Sequence, residues 1–228
     1  MSIWLSHNKM MCRSGKLSSY FSKTEQKLLD NLNTPEKIQN FIDSKIKYDP
    51  IREDRSVKDV LEERKAECYN GALFATACLL NQKVKASIVE ILARRDEEHV
   101  LCVYKKGGKY GSIAQSKFLG LKSRNPIYTT VRDLVVSYME FYFSFDGRFT
   151  LASFTNLLSI SKNKLKWLYD RNTVIKMAKD LRASKHSTLV AANDPIYYVS
   201  PKRYWREVLV IPKGTKIPQK YLVKGPKK

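Results

Sequence analysis

The stretch from Cys68 to Leu80 restricts the fold more than any other part of the chain. Ala72, Leu73, Ala75, Thr76, Ala77, Leu79 and Leu80 cover most faces of a helix with apolar or small side chains. A helix of that kind must be enclosed by other elements on nearly every side. The residues around it predict what those elements are.

Upstream, Thr34-Pro35 reads as an N-cap followed by proline at the first helical position. Ile38, Phe41, Ile42 and Ile46 then share one helical face, and the helix ends near Tyr48-Asp49-Pro50. Ser56-Val57-Lys58-Asp59 is a capping box that opens a short helix with Val57, Val60 and Leu61 inward, stopping near Lys65. Downstream, Val84 to Ala93 reads as a strand, Arg94 to Glu98 as a charged turn, and His99 to Tyr104 as a second strand. Lys106-Gly107-Gly108-Lys109 is a hairpin turn, and Tyr110 to Ser116 completes an antiparallel meander. The expected class is α+β, with the Cys68 helix packed on an antiparallel sheet.

Beyond residue 117 the pattern changes. Arg124-Asn125-Pro126 is expected to close a loop, Val131 to Phe145 to form an aromatic-rich helix, and Asn172 or Thr173 to Leu181 another helix. Val208 to Pro212 reads as a short late strand before a basic tail that is punctuated by proline. The organisation read from the chain is a poorly ordered or edge arm at 1–23, a core at 24–122, and a basic, aromatic-rich extension at 123–228 packed on the core.

The net charge of +20 is unevenly placed. Residues 1–116 carry 20 Lys and Arg against 15 Asp and Glu, a net of +5; residues 117–228 carry 22 against 7, a net of +15. Such a surface attracts polyanions or acidic partners through a long-range field, or simply keeps the protein soluble. The interleaved aromatics and cations of Tyr197 to Arg206 fit stacking on nucleic acid and equally fit an edge strand. Four cysteines, Cys12, Cys68, Cys78 and Cys102, read as reduced thiols without a zinc-site spacing. There is no run of 18 apolar residues and no apolar leader-like start, so a cytoplasmic protein without a membrane span is expected. No motif calls for a nucleotide, other cofactor or metal. The sequence carries no indication of oligomeric state.

Cys68 at a helix start and His99 at the head of a strand form the pair that carries chemistry. A helix N-terminus offers partial positive charge and unpaired N–H groups, which favour a thiolate and a developing oxyanion. An imidazole beside it serves as the base. Cys78 and Cys102 read as core thiols, Cys12 as an exposed bystander, and His186 as a surface residue or phosphate contact. Tyr48 is a candidate to line a cleft, and Asn70 to cap the helix or touch substrate.

These residues resemble the transglutaminase-like, papain-like cysteine hydrolase superfamily, in particular uncharacterised bacterial transglutaminase-like proteins, over roughly residues 34–145. The resemblance rests on Val60 to Cys68 for the cysteine element, Glu98-His99-Val100 for the histidine element, and Tyr110-Gly111-Ser112 for the third strand. The stretch from Arg124 to Tyr138 adds to it. It implies a papain-like core with a helical, basic C-terminal extension. The implied activity is an amide hydrolase, protease or acyl transferase acting on a protein or peptide through a Cys68–His99 dyad. The family usually has Asp on the third strand; here that position is Ala114, and no acidic residue lies between Glu98 and Asp133. Ser112, Gln115 and Ser116 are the polar side chains left to orient the imidazole. The alternative is a catalytically weak scaffold that docks on nucleic acid or acidic partners through residues 117–228.

Overall fold

The computed structural model describes residues 17–143, 148–160, 165–191, 200 and 203. The expectations for Cys12, Tyr197–Arg206, Val208–Pro212 and the basic tail fall wholly or almost wholly outside these residues.

Local chemistry sets the helix starts as expected. Thr34 caps α2 (Pro35–Lys45) by accepting from Lys37 N, and Ser56 and Asp59 form a complete capping box on α3 (Val57–Glu63). A third cap was not foreseen: Ser22 and Glu25 open α1 (Lys23–Asn31) with a capping box of their own. Arg64 then adopts a left-handed conformation (φ 53°) that ends α3 and turns the chain into β2 (Lys65–Ala66). This two-residue strand runs parallel to β1 (Lys47–Tyr48), which follows α2. Together they deliver the chain to α4 (Cys68–Asn81), whose residues Tyr69 to Leu79 are all buried.

The meander is present as β3 (Ala86–Ala93), β4 (His99–Lys106) and β5 (Lys109–Ile113). It is the centre of a six-stranded antiparallel sheet ordered β6-β5-β4-β3-β7-β8. The added strands are β6 (Arg124–Tyr128), β7 (Leu151–Thr155) and β8 (His186–Thr188). Arg124-Asn125-Pro126 is therefore strand, not loop; β6 is an edge, where a residue lacking N–H is tolerated. The expected helix from Val131 to Phe145 is shorter, with α5 at Val131–Val136 followed by a 3₁₀ turn at Met139–Phe141. α6 (Arg171–Arg182) lies where a helix was expected.

Strand alternation sorts the core into two layers. Ile88, Val100, Cys102, Tyr104 and Ile113 face α4 and join Leu73, Phe74 and Ala77. Val89, Ile91, Leu101, Val103 and Ala114 face the other way, under Leu134, Val135, Tyr138 and Tyr142. The molecule is mixed α+β, with the sheet covered on both faces. That explains why β3 and β4 read as nearly continuous apolar runs.

Candidate active site

Cys68 is the first residue of α4 and is half-buried. Glu67 is the N-cap: its Oε2 accepts from Tyr69 N (2.8 Å) and its Oε1 from Asn70 N (2.7 Å). The thiol donates to the same Oε2 at 3.1 Å. A carboxylate therefore occupies the positive end of the helix that the sequence assigned to a thiolate. Burial first, then the charge of Glu67, push the thiol well above its ordinary range, while the N–H groups of Val100 and Tyr69 pull it down. Burial raises the Glu67 carboxyl as well. At rest Cys68 is a neutral thiol.

The sulfur lies at the head of β4. The last paired residues of β4 and β5 are Cys102 and Ile113. Two residues further along β4, the Val100 N–H interacts with the Cys68 thiol. The start of α4 fits there because Gly71 has no side chain: a Cβ on Gly71 would sit 2.3 Å from Gln115 Cβ and 3.5 Å from Gln115 Cα. Gly71→Ala is expected to cost about 2 kcal/mol through overpacking, despite alanine's better helix propensity. The corresponding fall in Tm is about 4–8 °C, read by thermal unfolding; an unchanged Tm would contradict this close packing.

His99 is buried at the first position of β4, on the Leu101–Val103 side chain alternation. Its Nε2 lies 2.7 Å from Leu121 O. A carbonyl only accepts, so Nε2 carries the proton and Nδ1 keeps its lone pair. Burial lowers the imidazole to about 4, with Arg124 pushing the same way and the Leu121 carbonyl opposing. The resting imidazole is neutral, with Nδ1 available as a base.

The side chains expected to orient this ring make other bonds. Ser112 Oγ pairs with Tyr138 Oη (2.6 Å) and accepts from Arg124 N (3.1 Å). Gln115 Nε2 donates to Ile46 O at 2.9 Å, and Ser116 Oγ accepts from Phe118 N at 3.0 Å. The hydrogen bond to His99 comes instead from a backbone carbonyl. At Ala114, where the resembled family carries an acid, both backbone groups are bonded to the buried Gln39 amide (3.0 and 2.9 Å).

Arg124 holds the carbonyl's loop. Its guanidinium donates to Gly120 O (2.7 Å), Ser123 O (3.1 Å) and Ser137 Oγ (3.2 Å), and lies 3.9 Å from the centre of the Tyr138 ring. Tyr138 Oη in turn donates to Lys122 O at 2.7 Å. Ser112 thus supports the imidazole at one remove, through Tyr138 and Arg124. Glu67, Leu121 and Arg124 are the site residues that sequence reasoning missed. Glutamate is not among the side chains that ordinarily cap helices, so Glu67 gave little signal, and the sequence pointed to Asn70 instead; a main-chain acceptor leaves no signature in side-chain spacing.

Tyr48, at the end of β1, is partly exposed, and burial together with Cys68, Glu67 and Glu97 raises its phenol to about 12. Lys117 Nζ lies 6.0 Å from the Tyr48 ring centre. Asn70 is fully buried; its Nδ2 donates to Glu53 O (2.7 Å) and Arg55 O (3.0 Å), tying the preceding loop to α4. Cys78 and Cys102 are buried, and burial raises both thiols, Cys102 to about 12. His186 is exposed on β8, its Nε2 3.2 Å from Arg182 O. No group of three His, Cys, Asp or Glu that could hold a metal ion, and no helix long and apolar enough to cross a membrane, occurs among the described residues. Compared with known proteins, the chain matches no family model and no curated protein.

Proposed function

We propose that the protein is a cysteine-dependent enzyme acting on amide or other acyl bonds, with a transglutaminase-like core, Cys68 as nucleophile and His99 as base. The observation that supports this reading is the His99 Nε2 hydrogen bond to Leu121 O, which leaves Nδ1 unprotonated on the residue next to Val100, whose backbone N–H interacts with the Cys68 thiol. Because thiol and imidazole are both neutral at rest, the proton passes from Sγ to Nδ1 as the sulfur attacks the acyl carbon. The Val100 N–H, which interacts with the thiol, favours the negative charge that the sulfur takes on as its proton leaves. The imidazolium then returns the proton to the leaving group. Water as the second acceptor gives hydrolysis; an amine gives transfer.

The test is acylation by p-nitrophenyl acetate. The expected result is a burst of one p-nitrophenolate per chain, with the acetyl group found by mass spectrometry on Cys68 and absent from Cys78 and Cys102. Acylation elsewhere, or none in the folded protein, overturns the reading.

The charge distribution favours a second reading, in which the scaffold docks on nucleic acid or an acidic partner through residues 117–228, where a net +15 resides. Retention on a polyanion resin would then fall steeply with salt. A flat salt response removes that reading.

A further inference from the structure

Carboxylates gather beside Cys68, although the protein as a whole is strongly cationic. Glu90 lies on β3 directly opposite Val100, the residue after His99. Strand alternation places Glu90 with Ile88, Val100 and Cys102, on the face covered by α4. Glu98, immediately before His99, is exposed and acts electrostatically on Glu90, as does Glu53 from the loop that precedes α3. Glu53 also acts on Glu67 and on Tyr69, so the cluster reaches the N-terminus of α4. Among the described residues a cation faces it: Arg182, at the end of α6, bonds Glu53 Oε2 at 2.6 Å and interacts electrostatically with Glu90 and Glu98.

A group of carboxylates alone does not make a site. Glu90 supplies the independent observation. It is 3 % exposed, and its Oε2 has no hydrogen-bond partner among the described residues. A buried carboxylate oxygen left unpaired is costly, and a donor that neutralises it recovers that cost. Asn70 Oδ1, fully buried in the first turn of α4, is likewise without a partner, and its own amide nitrogen is bonded to Glu53 O. An ionised carboxylate oxygen only accepts, so the group that would satisfy Glu90 is a donor. Burial, with Glu98 adding to it, raises Glu90 to about 7, the behaviour of a carboxylate short of a cation.

We propose that Glu90, Glu98 and Glu53 form a subsite beside Cys68 that takes the ammonium or guanidinium of a Lys or Arg side chain on a polypeptide substrate. This rests on the reading of Cys68 as the nucleophile and adds its specificity. Arg182 holds Glu53 while the subsite is empty, and the buried Glu90 oxygen is the anchor for the incoming cation. The molecule's overall +20 charge works against cations, so a preference for them at Cys68 is a local property.

The experiment compares 2-aminoethyl and 2-sulfonatoethyl methanethiosulfonate, which form a disulfide with an accessible thiol and release methanesulfinate. Labelling is read at Cys68 by peptide mass spectrometry and referenced to free cysteine. The cationic reagent is expected to be favoured by about tenfold or more. In the doubly substituted Glu90→Gln, Glu98→Gln protein, checked for folding by circular dichroism, most of that preference is expected to disappear. A wild-type ratio at or below the free-cysteine value overturns the proposal whether or not the variant folds, and so does an unchanged ratio in a folded variant. These reagents need no catalysis. Failure of the subsite therefore shows as a lost charge preference, and failure of the enzymatic reading shows as a missing acetyl burst.

Discussion

Replacing His99 by glutamine is expected to slow acylation of Cys68 by p-nitrophenyl acetate by about 100-fold or more, the lower range of what a positioned base contributes. Glutamine is chosen because its Nε2 can donate to Leu121 O as the imidazole does. The loop at Leu121 keeps its hydrogen bond while the lone pair of Nδ1 is lost. A thermal unfolding curve close to that of the wild type would show that the loss is chemical. An acylation rate within a few-fold of wild type in a folded His99→Gln protein would mean that the imidazole does not take the proton.

Glu67→Gln is expected to have the opposite sign. The carboxylate of Glu67 accepts the Cys68 S–H and opposes its ionisation through both its charge and that bond. Glutamine keeps an oxygen that can cap Asn70 N or Tyr69 N but removes the negative charge. The thiol pKa then falls towards its ordinary value, and each unit gives about tenfold more thiolate at a fixed pH. Alkylation of Cys68 by iodoacetamide at pH 7 should accelerate by about tenfold or more, followed by mass spectrometry at that residue. A rate unchanged or lower would show that Glu67 does not hold the thiol in its protonated form.

The two variants divide the site into a base that removes the proton and a cap that retains it. The sequence displays these parts unequally. The buried helix, the meander, the capping box at Ser56 and the N-cap at Thr34 follow from local pattern, because each is set by residues within a few positions of one another. β7 and β8 complete the sheet on β3 from positions some 60 to 100 residues away in the chain, and their short, mixed patterns carry little signal by themselves. β6 was misread because Pro126 argues against strand except at an edge, and edge position is a property of the whole sheet.

At the site, Cys68 and His99 stood out by position. The support of the imidazole was not legible, since Leu121 acts through its main chain and is held by Arg124 and Tyr138 from outside the meander. The protonation of the pair was misjudged for a specific reason. A helix N-terminus favours a thiolate only while its charge is free, and here Glu67, one residue earlier, takes up that charge.

The dependence of Cys68 acylation on pH tests the central claim most directly. A neutral thiol assisted by a neutral imidazole reacts at a rate that is level wherever both stay in those forms, above the imidazole's pKa of about 4 and below that of the raised thiol. The rate constant for the p-nitrophenyl acetate burst is therefore expected to be flat from about pH 5 to 8 and to fall only as His99 takes up a proton near 4. A rate rising tenfold per pH unit across that interval is the signature of an unassisted thiolate, and it would contradict the assignment of His99 as the base.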